Sequence, residues 1–590
     1  VTPEPQQTSS RPDGFDLGDT VGLVHGPTTD PDAERIVRDT LARAGVNTIV
    51  DVEAAVTVHL GGPGPGPDVE PAAGLPAEGY VVAVGDHHIV LDGVDTRGTY
   101  YAALTLDQLL QGSQGNHVDG VEIRDWPTLP YRGSIEGFYG TPWSHADRLD
   151  HVDYLGAHKM NTYQYAPKDD VYHREQWRDP YPADKLAELG ELIERAQRNK
   201  VDFTFALSPG LSIAYTSDED FQALIAKFEA LYALGVRVFN VPLDDIEYEK
   251  WHSDEDATKY GTGGGAAGAA QADLCNRVQR EWIATKPDVA PLQMVPTEYY
   301  DLEETPYKQA LREQLDPAVI VHWTGTAVVP ERITSAQAAA AEAVFGHDIL
   351  IWDNYPVNDY AHGRILLAAY TGREPGLAEH VVGVISNPMN QASASKPALY
   401  SFAEFGWKPA TYDADASWHR AIAERAGGDA ATIAALEVFA DLTTYDGKLH
   451  LINAPVLASK LAAFKATWDG GDLAGAIADL EPYLEAIENS SAQIRSGVID
   501  PGFEAETDAW LDASFYWGGA LRQALRVFEA QAEGNASAVA TARDEIEHLI
   551  TQANEIRDVR LPHSKVPIRI GDGVADRFIG EAGWSGGPVS

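Results

Sequence analysis

The sequence predicts an α/β protein built around a (β/α)8, TIM-like barrel, with an N-terminal α/β domain before it and a C-terminal helical bundle after it. Three observations carry this expectation. A chain of 590 residues is too long for one hydrophobic core and calls for several domains. In its middle, eight short runs rich in β-branched and aromatic residues start about 27 to 56 residues apart, the length of a strand, two loops and a helix. Beyond that region the strand-like runs stop and Ala- and Glu-rich helical stripes take over. The expected boundaries are 1–127, 128–425 and 426–590.

In the first segment, TVGLVHG from Thr20 and YVVAVG from Tyr80 read as strands, while Asp32 to Ala44 and Arg97 to Leu110 have helical spacing. GGPGPGP from Gly61 reads as a loop, and without a following Lys-Ser/Thr it is not a phosphate-binding loop. His87-His88 falls in a predicted turn and reads as a surface pair. DWPTLP from Asp125, with two prolines, marks a boundary.

The eight runs then follow in order: SIEGF from Ser134, NTYQYAP from Asn161, DFTFALSP from Asp202 and RVFNVPLDD from Arg237. QMVPTEYY from Gln293, IVHWTG from Ile320, ILIWDNY from Ile349 and VVGVISNP from Val381 complete them. Between them lie helical stripes such as Leu186, Leu189, Ile193 and Ala196, or Phe221, Leu224, Phe228 and Leu231, the latter ended by Gly235. A doubly wound sheet usually has fewer strands, so eight units favour a closed barrel. GTGGGAAG from Gly261 reads as a flexible loop tip, and Cys275 in QADLCNRVQR as a buried apolar residue of a helix.

In the last segment Leu473, Ile477, Leu480, Leu484 and Ile487 share a face, with Pro482 expected to kink or break that helix. Trp510, Trp517, Leu521 and Phe528 form a second stripe, and Ala542, Ile546, Leu549, Ala553 and Ile556 a third. These stripes read as the core of an antiparallel bundle.

Composition narrows the function. Lys+Arg count 44 against 89 Asp+Glu, a net charge of −45. Such a polyanion is repelled by phosphate backbones, so nucleic acid is not an expected partner. No apolar run is long enough for a membrane span. The single cysteine excludes an internal disulfide and multi-cysteine metal sites. No His-Glu-x-x-His or Gly-x-Ser-x-Gly is present. The start, VTPEPQQTSSRPDG, reads as a polar mature terminus from which a signal has been removed, and with the acidity it suggests a secreted or extracytoplasmic bacterial protein.

In a barrel, chemistry sits at the C-terminal ends of the strands. That rule selects Glu136 to Tyr139, Tyr165 and Lys168, Asp244-Asp245, Thr297 to Tyr299, Trp323-Thr324, Trp352 to Asn354 and Asn387. Acids, amides and aromatics together suit a sugar, whose faces stack on rings and whose hydroxyls bind Asp, Asn and Lys. Adjacent carboxylates are common in an acidic chain and are mostly solvated. Asp244-Asp245, ending an apolar barrel strand, is instead a catalytic candidate, with mutual repulsion expected to hold one carboxyl protonated. Asp169-Asp170 lies in a loop and reads as structural, with His173 and Arg174 as partners.

At these residues the chain resembles glycoside hydrolase family 84, the β-N-acetylglucosaminidases that include O-GlcNAcases. The resemblance runs through RGSIEGFYGTPWS from Arg132, KMNTYQYAPKDDVYHREQWRDPYP from Lys159, PLDDIE from Pro242 and MVPTEYY from Met294. It continues in WTG from Trp323, IWDNYPVND from Ile351, ISNPMN from Ile385 and FGWKPATYD from Phe405, and so spans the whole predicted barrel. The matching motifs do not extend to the residues from about Leu561 onward.

The resemblance implies a retaining, substrate-assisted exo-hydrolase of terminal GlcNAc, in which the substrate's 2-acetamido oxygen attacks the anomeric carbon and forms an oxazoline. Asp244 would orient and polarise the acetamido N–H, Asp245 would act as general acid and then base, and Tyr299 would bond the acetamido oxygen. Gly137, Lys168, Asn354, Asp359 and Asn387 would hold the sugar, with Thr324 and Trp352 lining the acetamido pocket. Taken singly, Lys168 could pair with Asp170, and Asn387 before Pro388 could shape a turn. No metal or organic cofactor is implied, and the partner is a GlcNAc-bearing glycoconjugate or glycoprotein. Two other readings compete: a hyaluronidase-like glycosidase, and a non-catalytic glycan-binding or adhesion protein on a degenerate barrel.

Overall fold

The structure is a computed structural model that describes residues 1–112, 115–445, 452–559 and 566–584. Among the described residues the first 125 carry nine strands in chain order: β1 (Gln7–Ser10), β2 (Phe15–Asp16), β3 (Thr20–His25), β4 (Thr48–Val50), β5 (Thr57–Leu60), β6 (Tyr80–Gly85), β7 (His88–Gly93), β8 (His117–Val118) and β9 (Val121–Asp125). Seven form one mixed sheet in the order β1-β9-β6-β7-β5-β3-β4. Helices Pro31–Arg43 and Thr96–Gln111 pack together beside it through Val37, Leu41, Tyr101 and Leu106. The sheet is joined to the next domain by charge buried between them. Arg132, 1% exposed, meets the Glu78 carboxylate at 2.6 Å, and the same carboxylate accepts from Arg97 and Asn161. Removing one partner of such a pair costs about 3–5 kcal/mol, because the other charge stays buried without its counterion.

Eight parallel strands then close into a barrel: β10 (Tyr131–Glu136), β11 (Thr162–Tyr165), β12 (Asp202–Ala206), β13 (Val238–Pro242), β14 (Gln293–Val295), β15 (Ile320–Trp323), β16 (Ile349–Asp353) and β17 (Gly383–Ser386). The register closes β17 onto β10 with Gly133 opposite Ile385. All eight sequence runs lie on these strands. Ile135, Ala206, Val295, Leu350 and Ile385 pack together in one cluster. The outer helices bury the predicted stripes, including Leu189, Ile193 and Ala196 of one and Phe221, Leu224, Phe228 and Leu231 of the next.

The C-terminal part is helical: Ala414–Arg425, Ala430–Thr443, Pro455–Asp469, Leu473–Gly497, Pro501–Ala532 and Ala536–Glu555, followed by the short Ala575–Glu581. Its core includes Leu480, Leu484, Ile487, Trp510, Trp517, Leu521, Ile546 and Ala553. Residues 446–451, 560–565 and 585–590, all within the expected bundle, lie outside the described residues, and so does Leu561.

Three local expectations change. Of the kink or break expected at Pro482 the break does not occur: helix Leu473–Gly497 runs through it, with Pro482 facing solvent while Leu480 and Leu484 hold the other face in the core. The Gly-rich tract is no loop tip: Gly261 and Gly263 turn the chain at positive φ, and Gly264–Arg277 is helical. A Cβ on Gly268 would lie 2.5 Å from the Tyr307 carbonyl oxygen, so the small residues allow close approach to helix Pro306–Gln314. His87 does occupy an exposed turn at positive φ, but His88 starts β7 and its ring bonds the His59 ring at 3.0 Å. Cys275 is buried in its helix, as expected.

Candidate active site

The strand ends converge on a cavity of about 160 Å³. Its walls include all ten residues to which the family resemblance gives a role: Asp244, Asp245, Tyr299, Gly137, Lys168, Thr324, Trp352, Asn354, Asp359 and Asn387. Tyr139, which the sequence places at a strand end without a role, also faces it, as do Tyr360, Val295, Val328, Val329 and Val357.

The paired aspartates follow β13, whose five residues are all buried. The Leu243 N–H continues the ladder to the Val295 carbonyl at 2.8 Å, and the Thr297 hydroxyl donates to the Leu243 carbonyl at 2.6 Å. The strand end is thus fixed, and Asp245 then takes a left-handed φ of 52°. Asp244 is buried, while Asp245 is exposed at the mouth.

The two carboxylates have separate partners. Lys168 Nζ donates to Asp244 Oδ2 at 3.2 Å. Burial alone would raise the Asp244 pKa, but the Lys168 ammonium and the Arg174 guanidinium more than offset it and hold the group below the ordinary carboxylate value. Asp245 instead accepts from the Tyr139 hydroxyl at 2.7 Å and the Tyr299 hydroxyl at 3.3 Å. Burial and then Asp245 raise the pKa of both phenols, so they are donors at neutral pH. The expected organising feature, two acids repelling each other, therefore gives way to two acids with distinct counterparts.

The opposite wall is a relay of amides. Trp352 Nε1 and Asn387 Nδ2 each donate to Asn354 Oδ1 at 2.9 Å, and Asn354 Nδ2 donates to the Val328 carbonyl at 2.7 Å. Asn387 Oδ1 accepts the Gly137 N–H at 3.3 Å. A Cβ on Gly137 would lie 2.5 Å from Trp352 Cζ2, so only glycine lets the indole rest against this backbone. Thr324 is fixed by its hydroxyl on the Ala327 carbonyl at 2.9 Å. Asp359 accepts the Tyr139 N–H at 2.9 Å, and burial raises its pKa. Asn387 is therefore held in a network and does more than shape a turn.

Other rim acids have structural tasks. Glu136 is fully buried in a bidentate pair with Arg148, and Asp353 is held by Arg373 and Tyr370. Glu298 accepts from Tyr248 and Thr305. Asp170 is structural, as expected, but its side-chain partners are Tyr165 and Tyr181, at 2.9 and 2.8 Å; the expected His173 bonds it only through backbone. Arg174 turns toward Tyr139 and the Asp244-Asp245 pair instead. Among the described residues no group of His, Cys, Asp and Glu could hold a metal ion, and no helix is long and apolar enough to cross a membrane.

Comparison with known proteins places this geometry. The family model for beta-N-acetylglucosaminidase matches residues 132–441, and domain 2 of glycosyl hydrolase family 20 matches residues 1–126. Protein O-GlcNAcase of Mus musculus is 30% identical over 277 residues, covering 46% of this chain and 29% of that protein. The chain thus spans less than a third of that relative's length. A beta-hexosaminidase of Porphyromonas gingivalis is 25% identical over 205 residues, 32% of this chain and 25% of that protein. Among solved structures, CpGH84B superposes with a TM-score of 0.84 at 30% identity, covering 99% of both chains. A variant of the Thermobaculum terrenum O-GlcNAc hydrolase gives 0.69 at 29% identity over 77% of this chain and 94% of that one. With a family model spanning the entire barrel and a full-length structural match of this kind, the chain belongs to the beta-N-acetylglucosaminidase family, glycoside hydrolase family 84.

Proposed function

We propose that this chain is a retaining exo-β-N-acetylglucosaminidase that removes terminal GlcNAc from glycoconjugates, O-GlcNAc on protein among them, by substrate-assisted catalysis. One observation carries the reading: of two consecutive aspartates, one is buried and held anionic by Lys168, and the other is exposed between two phenol donors. A buried fixed anion suits the acetamido N–H, which becomes more acidic as its oxygen attacks the anomeric carbon. An exposed carboxyl suits proton exchange with the leaving oxygen and then with water.

In the first step the acetamido oxygen bonds C1 as the glycosidic bond breaks, and Asp245 gives its proton to the departing oxygen. Asp244 balances the positive charge that develops on the amide nitrogen, and Tyr299 can donate to the developing oxazoline. In the second step Asp245 takes a proton from water, which attacks C1 and reopens the oxazoline. Neither aspartate has to reach the far face of the ring, so both can come from one strand end. Trp352 and Thr324 enclose the acetyl group, and Asn354, Asp359, Asn387, Lys168 and Gly137 hold the sugar.

The test is turnover of a nitrophenyl β-GlcNAc glycoside, with the configuration of the first product read by NMR. Release of β-configured GlcNAc is expected. Binding without turnover would favour a glycan-binding protein, and an α-configured product would exclude the retaining scheme.

A further inference from the structure

Two residues of the cavity wall, Asp359 and Tyr360, sit on residues 354–364, a stretch after β16 that contains no helix or strand. Side chains on such a stretch keep their positions through the contacts that it makes with neighbouring elements. On the barrel side, Asn358 Nδ2 donates to the Arg364 carbonyl and to Gln391 Oε1, both at 2.9 Å, and Asp359 accepts the Tyr139 N–H. The other grip comes from the far end of the chain. Arg364, itself buried, makes a bidentate pair with Asp572, 208 residues away, at 2.6 and 2.5 Å. Its guanidinium lies 3.8 Å from the centre of the Tyr445 ring. The Gly363 carbonyl accepts from the Arg569 N–H and from Trp510 Nε1, each at 3.0 Å. Gly363 has a φ of 74°, and a Cβ there would lie 2.4 Å from the Pro567 carbonyl oxygen, so the two backbones are in direct contact.

We propose that residues 566–572 brace the substrate cavity, with Arg364 and Asp572 as positioning residues that fix Asp359 and Tyr360 and thereby set affinity for the sugar. The C-terminal part is then a component of the site as well as a packing partner of the barrel. The inference rests on the cavity being the GlcNAc site. A planar bidentate pair specifies orientation in a way that a lysine, with its single rotatable ammonium, does not.

The test uses the full chain with Asp572→Ala, Arg364→Met, the double variant and the milder Arg364→Lys, which keeps the charge if the others fold poorly. KM for the nitrophenyl glycoside is expected to rise about tenfold or more in the first two, with kcat changed much less, since small misplacements of binding groups are costly. The double variant should be no worse than either single one, and Arg364→Lys should fall between. Arg425→Met serves as the comparison, because it removes another long-range ion pair, with Asp500 at 2.9 Å, away from residues 354–364. It should lower the melting temperature and leave KM unchanged. Hydrogen exchange across residues 357–364 should quicken in the Asp572 and Arg364 variants and stay unchanged in Arg425→Met. Folded variants with the parent KM would overturn the proposal. Should the parent chain itself turn over no GlcNAc glycoside, the functional reading fails instead, and exchange unchanged by Asp572→Ala would overturn the brace separately.

Discussion

Asp245→Asn is expected to cut hydrolysis of an alkyl or protein-linked GlcNAc glycoside by about 10²- to 10⁴-fold while sparing the first step on a highly activated aryl glycoside. The difference follows from what Asp245 supplies. A poor leaving oxygen departs only when protonated, whereas an activated phenol leaves as its anion. Asp245 is placed for this task by its exposure and by the hydroxyls of Tyr139 and Tyr299, at 2.7 and 3.3 Å. With the activated substrate, the loss should move to the second step, because an asparagine cannot take a proton from water, and a burst of phenol should precede slow turnover. Equal losses on both substrates, with no burst, would remove Asp245 from the general-acid role.

Asp244→Ala should slow both classes of substrate, because attack by the acetamido oxygen is needed whatever the leaving group. Loss of a buried electrostatic contact of this kind costs on the order of 3 kcal/mol, about a hundredfold or more in rate. The alanine also leaves Lys168 facing the cavity without the carboxylate at 3.2 Å that balances it. A pH profile gives the sign independently. Lys168 helps hold the Asp244 pKa below its ordinary value, so the anion persists as pH falls. Removing that ammonium in Lys168→Met raises the Asp244 pKa and should shift the acidic limb of kcat/KM to higher pH. Near-normal turnover of the activated glycoside by Asp244→Ala would contradict the assignment.

Much of this architecture is legible because local pattern and global fold agree. Each barrel strand is a short apolar or aromatic run, and the residues that end it lie at the C-terminal face, which is why nine of the ten site residues reach one cavity; Asp359, in the stretch beyond β16, is implied only by the family resemblance. The misses share a physical cause: the deciding contact is distant in sequence. Of the two readings open for Lys168, the site reading holds and the pairing with nearby Asp170 gives way to one with Asp244, 76 residues on. Val328, Val329 and Val357 line the cavity, but an apolar loop residue looks the same whether it packs a core or faces a sugar. Tyr139 is selected by the strand-end rule together with Tyr299, but the family resemblance gives a role only to Tyr299, so the bond of the Tyr139 phenol to Asp245 goes unanticipated. The glycines from Gly264 read as a loop because their use, contact with the helix that carries Tyr307, depends on a neighbour 39 or more residues away, where Gly268 meets the Tyr307 backbone. Pro482 likewise stays in its helix because packing on the buried face outweighs the lost hydrogen bond on the exposed one.

The central claim is that the nucleophile belongs to the substrate, and its most direct measurement leaves the protein untouched. Nitrophenyl glycosides bearing acetyl, monofluoroacetyl, difluoroacetyl and trifluoroacetyl groups share one sugar ring and one leaving group. Fluorine draws electrons from the amide and weakens its oxygen as a nucleophile. Attack by that oxygen therefore predicts a kcat/KM that falls steeply with each fluorine, alongside tight binding of a thiazoline that mimics the oxazoline. A series that stays flat, with the thiazoline binding no better than GlcNAc, would mean that an enzyme carboxylate or water attacks C1 and that Asp244, Asp245 and Tyr299 have been given the wrong tasks.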